Sequence, residues 1–233
     1  MLSDLELMRM HVEAEFTHDA AALLVRVNEP NGGPAPRFFL GHTAEGVVRR
    51  YRHDVPDALR RELEAASDPD RLGDPAADAL LDPDPYASIL ARAAPVERTW
   101  VGLAFRFPTL LSLAPDTRLL RDADDAALLH PLLPEWVPDV QHSQPLIALI
   151  LGGRAVALCG SVRITPRAHE AGVETAAECR GRGHAAAVVA RWAAAVREQG
   201  AEPLYSTSWQ NKASRAVARK LGLVPVGRDL HIT

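Results

Sequence analysis

The run Arg180-Gly181-Arg182-Gly183-His184-Ala185 stands where a strand-like segment hands over to a helix, and it constrains the chain more than any other feature. Downstream, residues 183–199 place Ala185, Val188, Val189, Trp192 and Val196 on one apolar stripe, and Gly200 ends it. Glycines in such a junction let backbone amides approach a ligand closely and tolerate positive φ. The first amides of a helix have no internal partner, and the helix dipole adds partial positive charge. Arg180 and Arg182 add fixed charge. The combination predicts an anion site suited to a pyrophosphate. A Walker loop would need Lys-Ser/Thr where His184-Ala185 stands, and a dinucleotide fingerprint would need a third glycine.

The elements around this run have a clear rhythm. Residues 146–151 read as an apolar strand, Gly152-Gly153 as a tight turn, and 155–164 and 171–176 as two more strands of an antiparallel meander. Residues 204–208 form a short strand. A second helix at 211–221 sets Ala213, Val217 and Leu221 on one face, with Gly222 beyond its end, and 223–232 closes the chain as a strand. The predicted order is β-β-β-α-β-α-β.

The N-terminal third reads as a small α+β unit. A helix is predicted at 2–16, strands at 22–27, 37–41 and 46–51, and a helix from Pro56 through Leu59, Leu63 and Ala66. The strands at 37–41 and 46–51 flank the turn His42-Thr43-Ala44-Glu45. Asp-Pro occurs four times between residues 67 and 85, which predicts a linker with a short helix at 76–81. Helices follow at 85–93 and 122–133, and strands at 99–107 and 117–120. The predicted organisation is an accessory α+β region at 1–95 and a second domain at 96–233.

Composition sets limits. With 47% hydrophobic and 24% charged residues, the chain of 233 has the balance of an ordinary globular protein. A formal charge of -4 argues against general nucleic-acid binding. Two cysteines, Cys159 and Cys179, support neither a disulfide framework nor a zinc site, so no metal is expected and a reducing cytoplasm fits. The start Met1-Leu2-Ser3-Asp4-Leu5-Glu6 is too acidic for a signal peptide, and no stretch approaches the roughly 20 apolar residues of a membrane span.

The run from Arg180 to Ala185 resembles the R/Q-x-x-G-x-G/A signature of the GNAT superfamily of N-acetyltransferases. Asn211 with Ala213-Ser214, followed by Lys220-Leu221-Gly222-Leu223, resembles that family's N-x-x-A…K-L-G-F segment. The resemblance covers about 145–233 well and 96–144 loosely; residues 1–95 carry none. It implies a mixed, mostly antiparallel twisted sheet flanked by helices, with acetyl-CoA as co-substrate. Arg180, Gly181, Arg182, Gly183, His184 and Ala185 would hold the pyrophosphate, the backbone of Val173 and Thr175 the pantetheine arm, and Asn211 and Ser214 further parts of the cofactor. The implied activity is direct transfer of acetyl to an amine, on a small molecule or a peptide. A homodimer is compatible with the unassigned N-terminal part.

Such chemistry needs a base for the incoming ammonium. Glu170 and Glu174 are the candidates, with His169 beside them; four residues apart on a strand, the two carboxylates lie roughly 13 Å apart, so they do not serve one amine together. The family's leaving-group tyrosine falls at Ala218. The acid is then Ser206, Ser208, Tyr205 or water, or the domain is a non-catalytic acetyl-CoA sensor. Cys159 and Trp192 are expected in the core. Trp209 either lines the acceptor pocket or packs.

Overall fold

The computed structural model describes residues 2–74 and 79–233. The chain divides into two compact units. One consists of Met1–Arg106, Ser206–Lys212 and Pro225–Thr233, the other of Phe107–Tyr205 and Ala213–Val224. Each is built on a sheet flanked by helices, the mixed, mostly antiparallel α+β class predicted above.

In the first unit, α1 (Asp4–Glu15) starts at a capping box: Ser3 Oγ accepts from the Glu6 amide, and the Glu6 carboxylate accepts from the Ser3 amide. A small ribbon pairs β1 (Phe16–His18) with β2 (Leu24–Val27). β3 (Phe38–Thr43) and β4 (Gly46–Tyr51) form a hairpin. Its turn is tighter than the predicted four residues, because the Thr43 hydroxyl bridges it by donating to the Gly46 carbonyl and accepting from the Glu45 amide. β3 is buried along its whole length, since it has cover on both faces. Phe38 and Leu40 enter a core with Leu59 and Leu63 of α2 (Asp57–Ala66) and Tyr86 and Leu90 of α4 (Asp84–Ala91). Phe39 and Gly41 face α1, and a Cβ at Gly41 would collide with Met8. Fully burying a side chain such as Leu63 contributes about 2 kcal/mol.

The strand order in this unit is β4-β3-β11-β5, with β5 at Thr99–Arg106 and β11 at Val224–Ile232. β11 pairs antiparallel with β3, from Gly227 opposite Thr43 to Ile232 opposite Phe38. The last strand of the chain thus completes the sheet of the N-terminal part. A short α3 (Pro69–Leu72) lies in the Asp-Pro linker; half of the helix predicted at 76–81 lies outside the described residues, and 79–81 are not helical.

In the second unit the strand order is β10-β9-β8-β7-β6, with β6 at Thr117–Leu120, β7 at Leu146–Leu151, β8 at Arg154–Ile164, β9 at Ala168–Thr175 and β10 at Glu202–Ser208. From Ser206 onward β10 groups with the first unit. The predicted meander is present, turned at Gly152 and Gly153 with φ of 57° and 75°, and β6 extends it. α6 (His184–Glu198) packs on β7, β8 and β9 with Val188, Val189, Trp192, Ala193 and Val196 buried. α7 (Lys212–Lys220) follows β10. The helix predicted at 122–133 shrinks to α5 (Ala123–Ala126), followed by turns and a 3-10 helix at Pro134–Asp139. Pro131 explains the break: it has no amide for the ladder and pushes His130 out of the α region.

Candidate functional site

β9 is the backbone of the site. It is paired with β8 as far as Thr175 opposite Ala157, but its parallel pairing with β10 covers three positions, ending at Glu170 opposite Leu204. From Ala171 to Thr175, among the described residues, the β10 side of β9 has no strand partner. Val173 and Thr175, the expected pantetheine contacts, lie on this stretch and are half-buried. The Thr175 carbonyl accepts a hydrogen bond from Arg180 Nε at 3.1 Å. Arg180 therefore bends back onto the strand and fixes the start of the loop.

The loop itself has the predicted character. A 3-10 turn at Ala177–Cys179 leads into Gly181 and Gly183, both left-handed with φ of 77° and 85°. L residues rarely adopt that conformation, which accounts for glycine at both positions. Gly183 caps α6, and no side chain bonds to its first amides; no acidic residue lies in the first turn. The contrast with α1, closed by Ser3 and Glu6, is direct. His184 Nε2 is buried and has no hydrogen-bond partner among the described residues. Arg182 is exposed and Ala185 half-buried.

Lys220, at the end of α7, completes this corner. Its ammonium lies against Gly183, so that a Cβ there would collide with it. The lysine was legible as part of Lys220-Leu221-Gly222, but its meeting with a residue 37 positions earlier was not. Ser214 of α7 is half-buried and hydrogen-bonds Tyr205, with its Oγ 2.7 Å from the phenol oxygen. Asn211 is exposed just before α7, its amide donating to the Ser208 carbonyl at 3.0 Å.

The two carboxylates differ in setting. Glu170 is 3% exposed, at the end of the paired stretch and opposite Arg163 on β8. Glu174 is half-buried and accepts from the indole N–H of Trp136 at 3.0 Å. Trp136, in the 3-10 helix Pro134–Asp139, lies over the glycine at 172, where a Cβ would meet both its ring and Val162. Nothing in the residues around either position announces this pair. His169 points the other way, to Ser161 Oγ at 2.9 Å, which in turn accepts from Trp192 Nε1 at 3.1 Å. Burial holds the His169 pKa below its ordinary value.

Of the expected acids, Tyr205 is buried and its pKa is pushed up to about 12, chiefly by burial, with the Ser214 hydrogen bond opposing. A CoA thiolate takes up its proton near ~8.5, so a phenol this weak is a poor donor to it. Ser206 and Ser208 are half-buried on β10, and Ala218 is buried. Cys159 is fully buried and its thiol pKa is raised well above the usual value by burial and then by Glu170, which excludes a nucleophilic role. Cys179 is buried and unbridged. Trp209 is half-buried, its amide donating to the Val101 carbonyl.

A family model spans the loop. Residues 147–228 match the family model described as GNAT acetyltransferase; residues 1–146 lie outside the match. Among solved structures, a GNAT-family protein from Novosphingobium aromaticivorans is 22% identical with a TM-score of 0.48, over 59% of this chain and 65% of that one. An acetyltransferase of the GNAT family from Colwellia psychrerythraea is 16% identical with a TM-score of 0.47, over 63% and 60%. A GNAT-like protein from Streptococcus suis is 18% identical with a TM-score of 0.46, over 64% and 68%. The chain thus spans less than two thirds of the length of the first two. No curated protein matches the chain. Among the described residues, no helix is long and apolar enough to cross a membrane.

Proposed function

We propose that this protein transfers acetyl from acetyl-CoA to an amine by direct attack. The observation that carries the reading is the open start of α6: two left-handed glycines, first-turn amides without a side-chain cap, and the Lys220 ammonium beside Gly183. Such a corner suits a pyrophosphate. The orphaned His184 Nε2 supports a polar ligand there, and the unpaired side of β9 offers backbone groups at Val173 and Thr175 to a pantetheine arm. The thioester would then lie along β9. The amine nitrogen attacks its carbonyl carbon, the C–S bond breaks, and CoA leaves as thiolate. Glu170 or Glu174 takes the proton of the ammonium. With Ala218 and a weakly acidic Tyr205, the thiolate takes its proton from water. Residues 96–233 carry this activity on a small-molecule or peptide acceptor, and 1–95 form an accessory region.

Ala218 favours a second reading, an acetyl-CoA sensor that binds without turnover. A thiol-release assay with acetyl-CoA and a set of amines separates the two. Steady release of CoA above the buffer rate supports the enzyme; tight acetyl-CoA binding with release at the buffer rate for every amine supports the sensor.

A further inference from the structure

We infer that Glu174 and Trp136 form the recognition site for the acceptor, and that the acceptor is a cationic alkylamine rather than a neutral arylamine. The inference rests on the acetyltransferase reading of β9 and deepens it. Glu174 lies between Val173 and Thr175, the two residues proposed to hold the pantetheine arm, so its side chain is beside the path of the thioester. The carboxylate is half-buried, its hydrogen-bond partner is the neutral indole of Trp136, and no ion pair compensates it among the described residues. A carboxylate partly removed from water with a neutral partner retains unsatisfied charge. An alkylammonium supplies the missing counter-charge and donates to the remaining oxygen sites.

The setting of Trp136 adds a second contact. Its N–H fixes the carboxylate, and its ring lies over the glycine at 172, which no other residue could occupy without displacing Val162 or the ring. The indole is thereby held next to the charged group, and its aromatic face attracts cations. A neutral arylamine gains from the ring alone. Glu170, buried at the end of the paired stretch, lacks that exposure.

The test is calorimetric binding of amines to the full chain saturated with CoA, so that no chemistry intervenes. The probes are 1,5-diaminopentane, phenethylamine, a lysine-containing tripeptide and, as the neutral comparison, aniline. Glu174→Gln is expected to weaken the bound alkylamines on the order of 10-fold to 100-fold, to leave aniline within twofold, and to leave acetyl-CoA affinity within twofold. Trp136→Phe, which keeps a ring and loses the donor, is expected to give a smaller loss in the same direction. A merely structural role for the pair would weaken acetyl-CoA, aniline and alkylamines together. The inference is overturned by that uniform loss, by an unchanged alkylamine affinity in Glu174→Gln, or by a wild-type chain that binds none of the alkylamines. If the wild type fails to bind acetyl-CoA, the acetyltransferase reading falls, and amine titrations without CoA still decide the role of the pair.

Discussion

The two compact units treat charge in opposite ways. In the first, several buried cationic and titratable groups are bonded inside the fold, while His18 Nε2 and Arg50 Nε are buried without a hydrogen-bond partner among the described residues. Arg37 donates to the carbonyls of Leu90, Ala94 and Pro95; Arg228 donates to those of Leu72, Asp74 and Ala79 and meets His42; His11 meets Asp229 at 3.3 Å. In the second, the core is largely apolar and the polar groups near the start of α6 are left open: Arg182, Lys220 and the first amides of the helix. Satisfied buried polar groups specify a fold, whereas an open cluster of donors at a helix start is available to a ligand. The difference sets guanidinium clamps inside one unit against open donors at a helix start in the other.

The sharpest way to break this comparison is Arg228→Ala. Removing the guanidinium takes the donor from three part-buried carbonyls, with an expected loss of about 1–3 kcal/mol of stability. Urea denaturation measures it, and acetyl-CoA affinity of the folded fraction should stay within twofold. A loss below about 1 kcal/mol would show that the clamp does not hold the linker.

Acid is the next lever. His231 stacks on Trp100 with ring centroids 4.9 Å apart, and its pKa falls from 6.5 to about 3, first through burial and then through Arg98 and His11. The folded value lies below the unfolded one, so the unfolded chain binds the extra proton. Stability is therefore full above about pH 6.5 and is lost progressively as pH falls toward 3. By pH 5 the loss amounts to about 2 kcal/mol. His231→Phe keeps the stack and removes the proton, so thermal unfolding at pH 7 and pH 5 should differ less in the variant than in the wild type. An equal difference would assign the acid sensitivity elsewhere.

The smallest expected changes fall at the loop. Gly183→Val strains a left-handed position and displaces Lys220, which should weaken acetyl-CoA at least about tenfold. Lys220→Ala removes one exposed cation, and roughly a threefold to tenfold loss, shrinking at high salt, is expected. Calorimetry on both variants checks the order: a larger effect of Lys220→Ala would place the anion on the lysine rather than on the backbone.

Much of this was legible locally. The glycine loop, the stripe on α6 and the Gly152-Gly153 hairpin are written in neighbouring residues, whose φ requirements and spacing act over a few positions. What escaped the sequence depends on contacts between distant segments. Nothing near residue 38 announces pairing with residue 232, and nothing near Trp136 announces Glu174. The start of β9 was missed by three residues because Ala168-His169-Glu170 lacks strand-like alternation; their burial comes from pairing with β10. The long helix at 122–133 failed for a local reason, since Pro131 outweighs the apolar spacing that takes Leu129 and Leu133 into the core.

The central claim is that the open corner at the start of α6 binds acetyl-CoA. Isothermal titration of the full chain with acetyl-CoA tests it most directly. Saturable binding at one site per chain, weakened by salt and by Gly183→Val, is the predicted result. No heat and no thermal stabilisation at millimolar acetyl-CoA would contradict it.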